Sequence, residues 1–188
     1  ARFSGVQTVA LVFVVNAAVN MGANYLQYYY LALLSVRVLQ DLRTGMFDHL
    51  RNKLGFGVKL THDVHEHLRP NMAVALAKLL EPYRLFFLED VLPPEQIASF
   101  RQIRQQCTTP QAMGELFVNT QEWLPLITER LIDFIRVRVS KVGGITPARK
   151  IAHLCEPFGV QTAWQEGGNT DPVNLTASLH LDMASWNF

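Results

Sequence analysis

The sequence predicts an α/β fold that forms part of a (β/α)8 barrel of the TIM type, preceded by hydrophobic helices at the N-terminus. From residue 58 onward, short apolar runs alternate with segments of helix length, which is typical of a parallel sheet. Three of these runs end in an acidic residue, and Asp63, Glu89 and Glu115 follow one another at intervals of 26 residues. One strand, one helix and their loops need about 25 residues, so the interval indicates equivalent ends of successive parallel strands.

Five strands and five helices are predicted after residue 57. The strands are expected at 58–63, 84–89, 111–115, 133–139 and 159–164, and the helices near 71–81, 94–106, 120–131, 146–156 and 172–182. Proline is predicted to open three of the helices, because its fixed φ angle and missing N–H suit a first turn. These residues are Pro70, Pro94 and Pro147. A sixth strand is predicted to begin at Ala184.

The number of predicted strands is smaller than the eight that close a barrel. An open parallel sheet leaves unpaired edges and an uncovered face. We therefore expect either the N-terminal helices or another chain to cover this sheet. A homo-oligomer is an open alternative.

The N-terminal segment is long, apolar and uncharged. Between Arg2 and Arg37 lie 34 uncharged positions, whereas about 20 apolar residues are enough to span a bilayer. Four tyrosines between residues 25 and 30 resemble an interfacial aromatic cluster, and the basic residues beyond them favour a cytoplasmic C-terminal side. Two alternatives stay open: residues 9–36 contact a membrane, or they pack on the barrel.

Polar residues recur regularly within this apolar segment. Asn16, Asn20 and Asn24 are four residues apart, so their amides share one face of a helix. That face is expected to hydrogen-bond to neighbouring helices in a membrane bundle, or to be the more polar side of a helix in a soluble protein. A further helical pattern runs from Val38 to Leu54 and is interrupted by Gly45.

Composition restricts the class of protein. With 188 residues and 49% hydrophobic content, the chain has enough apolar residues to fill a core. A net charge of +1 argues against a nucleic-acid partner. Cys107 and Cys155 form no CxxC motif, and we expect them to be free thiols in a reducing, cytoplasmic compartment.

Asp63, Glu89 and Glu115 are predicted to form a metal site at the catalytic face of the barrel. The carboxyl ends of parallel strands meet at this face, and carboxylate oxygens are the ligands that Mg2+ prefers. The alternative is three unrelated acids in loops near helix N-termini, where acidic residues are favourable.

Three other polar residues lie near the predicted metal site. His65 is two residues after Asp63, so both side chains point to the same face, and a histidine beside a metal carboxylate can donate or accept a proton. Arg136 and Arg138 alternate along a predicted strand and are expected to face the barrel interior. There they either meet the anions of the site or form a structural ion-pair network.

Four segments resemble mannonate dehydratases and the related starvation-sensing proteins of the enolase superfamily. They occur in the order that the family uses, between about Met46 and Phe188. The segments are LTHDVHEHLRPNMAVALAKLLEPYRLFFLED, TTPQAMGELFVNTQEWLPLI, LIDFIRVRVSKVGGITPARKIA and GVQTAW. The resemblance implies a domain at 46–188 with the fold of an enolase C-terminal domain, preceded by a foreign hydrophobic segment at 1–45.

The resemblance also implies a reaction. Mg2+ held by the three acidic residues would bind the carboxylate of a sugar acid such as mannonate or gluconate and stabilise an enediolate. Loss of the β-hydroxyl would then give a 2-keto-3-deoxy acid, with His65 as the acid for the leaving group. Arg69 lies in the loop beyond His65 and is expected either to contact the substrate or to be solvated. If Arg136 and Arg138 have a functional role, they are also expected to contact the substrate.

The chain departs from this family at the catalytic groups. Gln165 follows the TAW motif where the family usually has histidine, and glutamine can bind a substrate oxygen but cannot transfer a proton. The family's Tyr and Arg base is expected on an upstream part that is absent from this sequence. We therefore expect a dehydratase-like domain with incomplete catalytic machinery. The alternatives are a non-catalytic sugar-acid-binding or regulatory protein and a membrane-anchored, permease-like fragment.

Residues 1–45 show a different resemblance. The string LQYYYLALLSVRVLQDLRTGMFDHL is similar to a transmembrane helix of an ABC exporter that continues into its cytoplasmic extension. The two resemblances together imply a fused chain with a join between Thr44 and Leu50.

Overall fold

The computed structural model describes residues 2–166 and 171–188, and the chain divides into two units, 1–53 and 54–188. One helix, α1, extends over Arg2–Leu54 and forms the described part of the first unit, with its last residue in the second unit. The predicted interruption at Gly45 is wrong, because the helix continues through this residue. A glycine in a helix costs only about 1 kcal/mol, and strong helix formers on both sides offset it.

Part of α1 has the length and composition of a membrane span. Gln7–Leu31 comprises 25 residues with a mean hydropathy of 1.6, and its most apolar part is not buried. Core helices of soluble proteins and signal sequences can show the same hydropathy, although a core helix would be mostly buried. This part of the helix therefore presents an exposed, largely apolar surface.

The second unit is a five-stranded parallel sheet with the strand order β1-β2-β3-β4-β5. The strands are β1 Thr61–Asp63, β2 Phe87–Glu89, β3 Gln111–Met113, β4 Phe134–Ile135 and β5 Gln161–Thr162. The helices are α2 Pro70–Leu79, α3 Ile97–Gln106, α4 Thr120–Thr128, α5 Ile145–Cys155 and α6 Pro172–Ala184, and single 3-10 turns cover Glu81–Tyr83 and Glu156–Phe158. The predicted alternation is confirmed, with shorter strands than expected.

Two details of the prediction are wrong. Pro94 precedes α3 instead of opening it, whereas Pro70 begins α2 and Pro147 lies in the first turn of α5, as predicted. No strand forms at residues 184–188. The chain turns there, and Asn187 binds the edge of β5 by accepting from Thr162 N–H at 2.7 Å and donating its side-chain amide to the Val160 carbonyl oxygen at 2.9 Å.

The two faces of the sheet have different surroundings. On the outer face, Leu88, Ile135 and Val137 are fully buried together with apolar residues of the helices. On the inner face, Phe87, Ala112 and Phe134 pack together. Phe87 and Phe134 also border a cavity of about 650 Å³. The inner face is therefore accessible, as expected for a sheet with fewer strands than a closed barrel.

Candidate functional site

Three acidic residues lie at the carboxyl end of the sheet. Asp63 and Glu89 are the last residues of β1 and β2, where they are paired in register, and Glu115 follows β3 by two residues. Asp63 is exposed, whereas Glu89 and Glu115 are buried. Neighbouring parallel strands thus bring the three carboxylates to one edge, as the equal spacing predicts.

His65 joins two of these carboxylates. Its Nδ1 atom lies 3.6 Å from Asp63 Oδ2 and 3.8 Å from Glu115 Oε2, so both oxygens approach a single nitrogen. The turn that places the ring is left-handed, with φ of 56° at His65 and 60° at Glu66. Two hydrogen bonds hold it: His65 N–H donates to Asp63 Oδ1 at 2.8 Å, and Glu66 N–H donates to the Asp90 carbonyl oxygen at 2.6 Å.

Two arginines pair with the buried carboxylates. Arg136 Nε donates to Glu89 Oε1 at 2.5 Å, and Arg138 Nη2 donates to Glu115 Oε1 at 3.0 Å. Burial raises the pKa of Glu89 above its usual value, although the charge and hydrogen bond of Arg136 oppose this effect. Both arginines therefore face the site, as their alternation predicts, and they supply positive charge to it.

Gln165 belongs to the same network. Arg138 Nε donates to Gln165 Oε1 at 3.0 Å, so one guanidinium connects Gln165 with Glu115. Arg69, in contrast, is the N-terminal cap of α2, where its carbonyl oxygen accepts from Met72 and Ala73 and its side chain is exposed. The described contacts do not bring Arg69 to the acidic cluster.

Gly114 lets β3 approach β4 closely beside the site. Its φ is +145°, and a Cβ atom on this residue would lie 2.7 Å from the backbone carbonyl carbon of Arg136. A side chain would therefore separate the strands or displace Glu115 and Arg136 together.

Asp90 is a site residue that the sequence reasoning missed. Only 1% of its surface is exposed, and burial, followed by the nearby Glu89 charge, raises its pKa to about 8. Its Oδ1 accepts from Gly114 N–H at 3.4 Å, and its Oδ2 is buried without a partner among the described residues. Strand alternation predicts that Asp90 points away from Glu89, but its left-handed backbone, with φ of 45°, ends that alternation.

The donor groups fit a hard divalent cation. Asp63, His65 and Asp90 offer ligand atoms within 4.8 Å of one another. Asp63 and Glu115 also raise the pKa of Glu89 through their charges, although less than burial does. The carboxylates of this cluster repel one another, so added positive charge stabilises them. Their oxygen atoms are ligands that suit Mg2+.

A parallel α/β sheet with an acidic cluster at the carboxyl ends of its strands defines a partial (β/α) barrel with a candidate metal site. The sequence profile of the Enolase C-terminal domain-like family matches residues 38–188. The chain therefore belongs to the Enolase C-terminal domain-like family, which confirms the predicted fold.

Known proteins resemble the same part of the chain. A D-galactonate dehydratase family member from Paenibacillus sp. (strain JDR-2) is 68% identical over 143 residues, which are 76% of this chain and 35% of that protein. A D-mannonate dehydratase from Caulobacter vibrioides is 46% identical over 143 residues, 76% of this chain and 36% of that protein. The crystal structure of an enolase from Pantoea ananatis, with bound D-gluconate and Mg, is 56% identical with a TM-score of 0.74 and matches 76% of this chain and 34% of that one.

The matches extend over only a part of each relative. The chain spans about a third of the length of the curated relatives it matches. The family profile begins at residue 38, so the domain boundary at 45/46 stays a prediction. The resemblance of residues 1–45 to an ABC exporter also stays a prediction.

Proposed function

We propose that residues 46–188 are the barrel part of a Mg2+-dependent sugar-acid dehydratase, a hydro-lyase acting on mannonate or gluconate. The observation that carries this proposal is the convergence of Asp63, Glu115 and His65 at the carboxyl end of a parallel sheet. The relatives named as a D-galactonate dehydratase family member and a D-mannonate dehydratase support the reaction class. The related structure with D-gluconate and Mg supports both the ligand class and the cation.

Each residue has a separate task in this proposal. Asp63, Glu89 and Glu115 would hold Mg2+, with Asp90 as a further oxygen donor beside them. Bound Mg2+ would supply positive charge next to the substrate carboxylate. His65 holds its Nδ1 atom towards Asp63 and Glu115. Its ring is half exposed, so it can carry a proton to a leaving hydroxyl group.

The arginines orient the carboxylates and are proposed to bind substrate oxygens. Arg136 orients Glu89, while Arg138 orients both Glu115 and Gln165. A guanidinium has five N–H donors, so each arginine can keep its carboxylate and still donate to a sugar acid. Arg69 is proposed as a more distant substrate contact from the start of α2.

The proposal includes incomplete catalytic machinery. Gln165 cannot transfer a proton, and each missing acid or base typically lowers the rate by about 10²- to 10⁴-fold. We therefore expect this chain alone to bind a sugar acid in the presence of Mg2+ with little turnover. A non-catalytic sugar-acid-binding or regulatory protein is the second candidate, favoured by the arginine pairs that already neutralise Glu89 and Glu115.

We also propose a cytoplasmic location with membrane contact through residues 9–36. The exposed apolar segment Gln7–Leu31 supports this part of the proposal and favours a membrane-anchored chain. A permease-like role would follow if the resemblance of residues 1–45 to an exporter were also correct.

Calorimetric titration of the full chain tests the sugar-acid proposal. Gluconate and mannonate should bind with Mg2+ present and not with a chelator. Glu89→Gln should abolish this Mg2+ response, whereas Glu156→Gln, an exposed carboxylate at the end of α5, should leave it unchanged. Sugar-acid binding that is independent of Mg2+ would contradict the metal site. An equal loss of the Mg2+ response in Glu89→Gln and Glu156→Gln would also contradict it. Rapid formation of a 2-keto-3-deoxy acid would contradict the incomplete machinery.

A further inference from the structure

A long apolar surface on α1 takes no part in the proposed sugar-acid site. Gln7–Leu31 comprises 25 residues, and its most apolar part is exposed throughout. At 1.5 Å per residue this segment is about 37 Å long, whereas the hydrocarbon core of a bilayer is about 30 Å thick. Exposed apolar surfaces of this size mark contacts with another molecule or with lipid.

A polar stripe lies along this apolar surface. Asn16, Asn20 and Asn24 are exposed and follow one another at i+4 spacing, and Gln27 continues the stripe, three turns beyond Asn16. Ala23 lies on the same side of the helix. Its small side chain allows a second helix to approach closely. We call Asn16, Asn20, Ala23, Asn24 and Gln27 the amide stripe.

The amides need partners that lipid does not offer. Asn20 Nδ2 donates to both the carbonyl oxygen and Oδ1 of Asn16, at 2.9 Å each. Each amide side chain has two N–H donors and an oxygen that accepts two bonds, so this contact along the helix uses only part of the capacity of the stripe. Hydrocarbon satisfies none of the remainder, and unsatisfied polar groups are costly there.

We propose that α1 pairs with the α1 helix of a second copy of this chain within a bilayer, through the amide stripe. An amide both donates and accepts, so the stripe is complementary to itself, as a two-fold symmetric interface requires. The segment from residue 3 to residue 36 carries no charge that would repel the second copy. This inference rests on the proposed membrane contact and is independent of the sugar-acid site.

Energy transfer between labelled copies of the full chain in phosphatidylcholine vesicles tests the pairing. A cysteine introduced by Gly5→Cys would carry the donor or acceptor dye, since Cys107 and Cys155 are both buried. Asn20→Leu removes the central amide of the stripe. Ala18→Leu is the matched control, because residue 18 lies on the opposite side of the helix.

The inference predicts energy transfer above the level that random proximity gives. The energy transfer should decrease as lipid is added, because dilution in the bilayer separates the pairs. Asn20→Leu should weaken pairing by about 3- to 30-fold, the effect of one hydrogen bond between membrane helices, and Ala18→Leu should leave it unchanged. Failure to float with the vesicles would refute the membrane contact and the pairing together. Flotation with transfer at the random level would refute the pairing alone. Pairing that is lost in Ala18→Leu but retained in Asn20→Leu would also refute the amide-stripe interface.

Discussion

Replacing Arg136 with methionine should destabilise the barrel part in a pH-dependent manner. The Arg136 and Glu89 side chains are only 21% and 8% exposed, and their bond is 2.5 Å long. Removing one partner of such a buried pair costs about 3–5 kcal/mol. Methionine keeps most of the length that packs beside the Phe87 ring, 5.2 Å from the guanidinium carbon, so the lost charge should dominate the effect.

Protonation of Glu89 sets an upper limit on this cost. Without Arg136, burial raises the pKa of Glu89 further and the buried carboxyl binds a proton. Protonating a carboxyl group with an ordinary pKa near 4.3 costs about 4 kcal/mol at pH 7 and about 1 kcal/mol at pH 5. Because the folded state then binds more protons than the unfolded state, the unfolding free energy of the variant should fall as the pH rises above about 4.

Urea unfolding with a chelator present, at pH 5 and pH 7, measures both values. The control is Arg101→Met, since the Arg101 to Glu129 pair is exposed and its loss should change the unfolding free energy much less. The double variant Arg136→Met with Glu89→Met should recover most of the stability, because two apolar side chains leave no buried charge. An equal loss at both pH values, or one no larger than that of the control, would refute the reasoning.

Three further predictions concern the second unit. Gly114→Ala should lower the unfolding free energy by about 2 kcal/mol or more, since the Cβ atom of the introduced alanine would lie 2.7 Å from the Arg136 backbone. Urea unfolding that matches the wild type would contradict this prediction. Burial raises the pKa of Asp182 to about 6, so wild-type stability should decrease from about pH 4 to pH 6 and Asp182→Asn should remove this slope; an unchanged slope would exclude Asp182 as its cause. Gln165→Leu removes an acceptor from Arg138 and should weaken calorimetric sugar-acid binding about 10-fold with Mg2+ present; full affinity would show that Gln165 does not support the site.

The sequence predicts the positions of the strand ends better than the side chains that surround them. Equal spacing places Asp63, Glu89 and Glu115 at one edge of the sheet because strand and helix lengths vary little between successive units. Asp90 escapes this reasoning, since its direction depends on a left-handed backbone that ends the alternation of the strand. The arginine pairs depend on tertiary packing, so the sequence allowed a functional role and a structural role equally.

The elements at the two ends of the chain show a second limit of sequence reasoning. Gly45 suggested a break because glycine disfavours helix locally, but a helix of 53 residues tolerates that cost. The segment from Ala184 to Phe188 suggested a strand, but Asn187 binds the edge of β5 with its side chain and its carbonyl oxygen. Local preference decided neither element, because cooperativity along the helix and hydrogen bonding to a neighbouring strand were stronger.

The positive charges around the acidic cluster connect the stability of the site with its proposed function. Arg136 and Arg138 neutralise Glu89 and Glu115, whereas the buried Oδ2 of Asp90 has no partner in the described part of the chain. The arginines therefore allow the carboxylates to remain buried, and a cation would add charge where the arginines do not reach. In the proposed function, this arrangement would let the site be stable without a cation and also bind Mg2+ with a sugar acid. It also means that Arg136→Met should increase the stabilisation that Mg2+ gives, because the cation would then replace the lost charge.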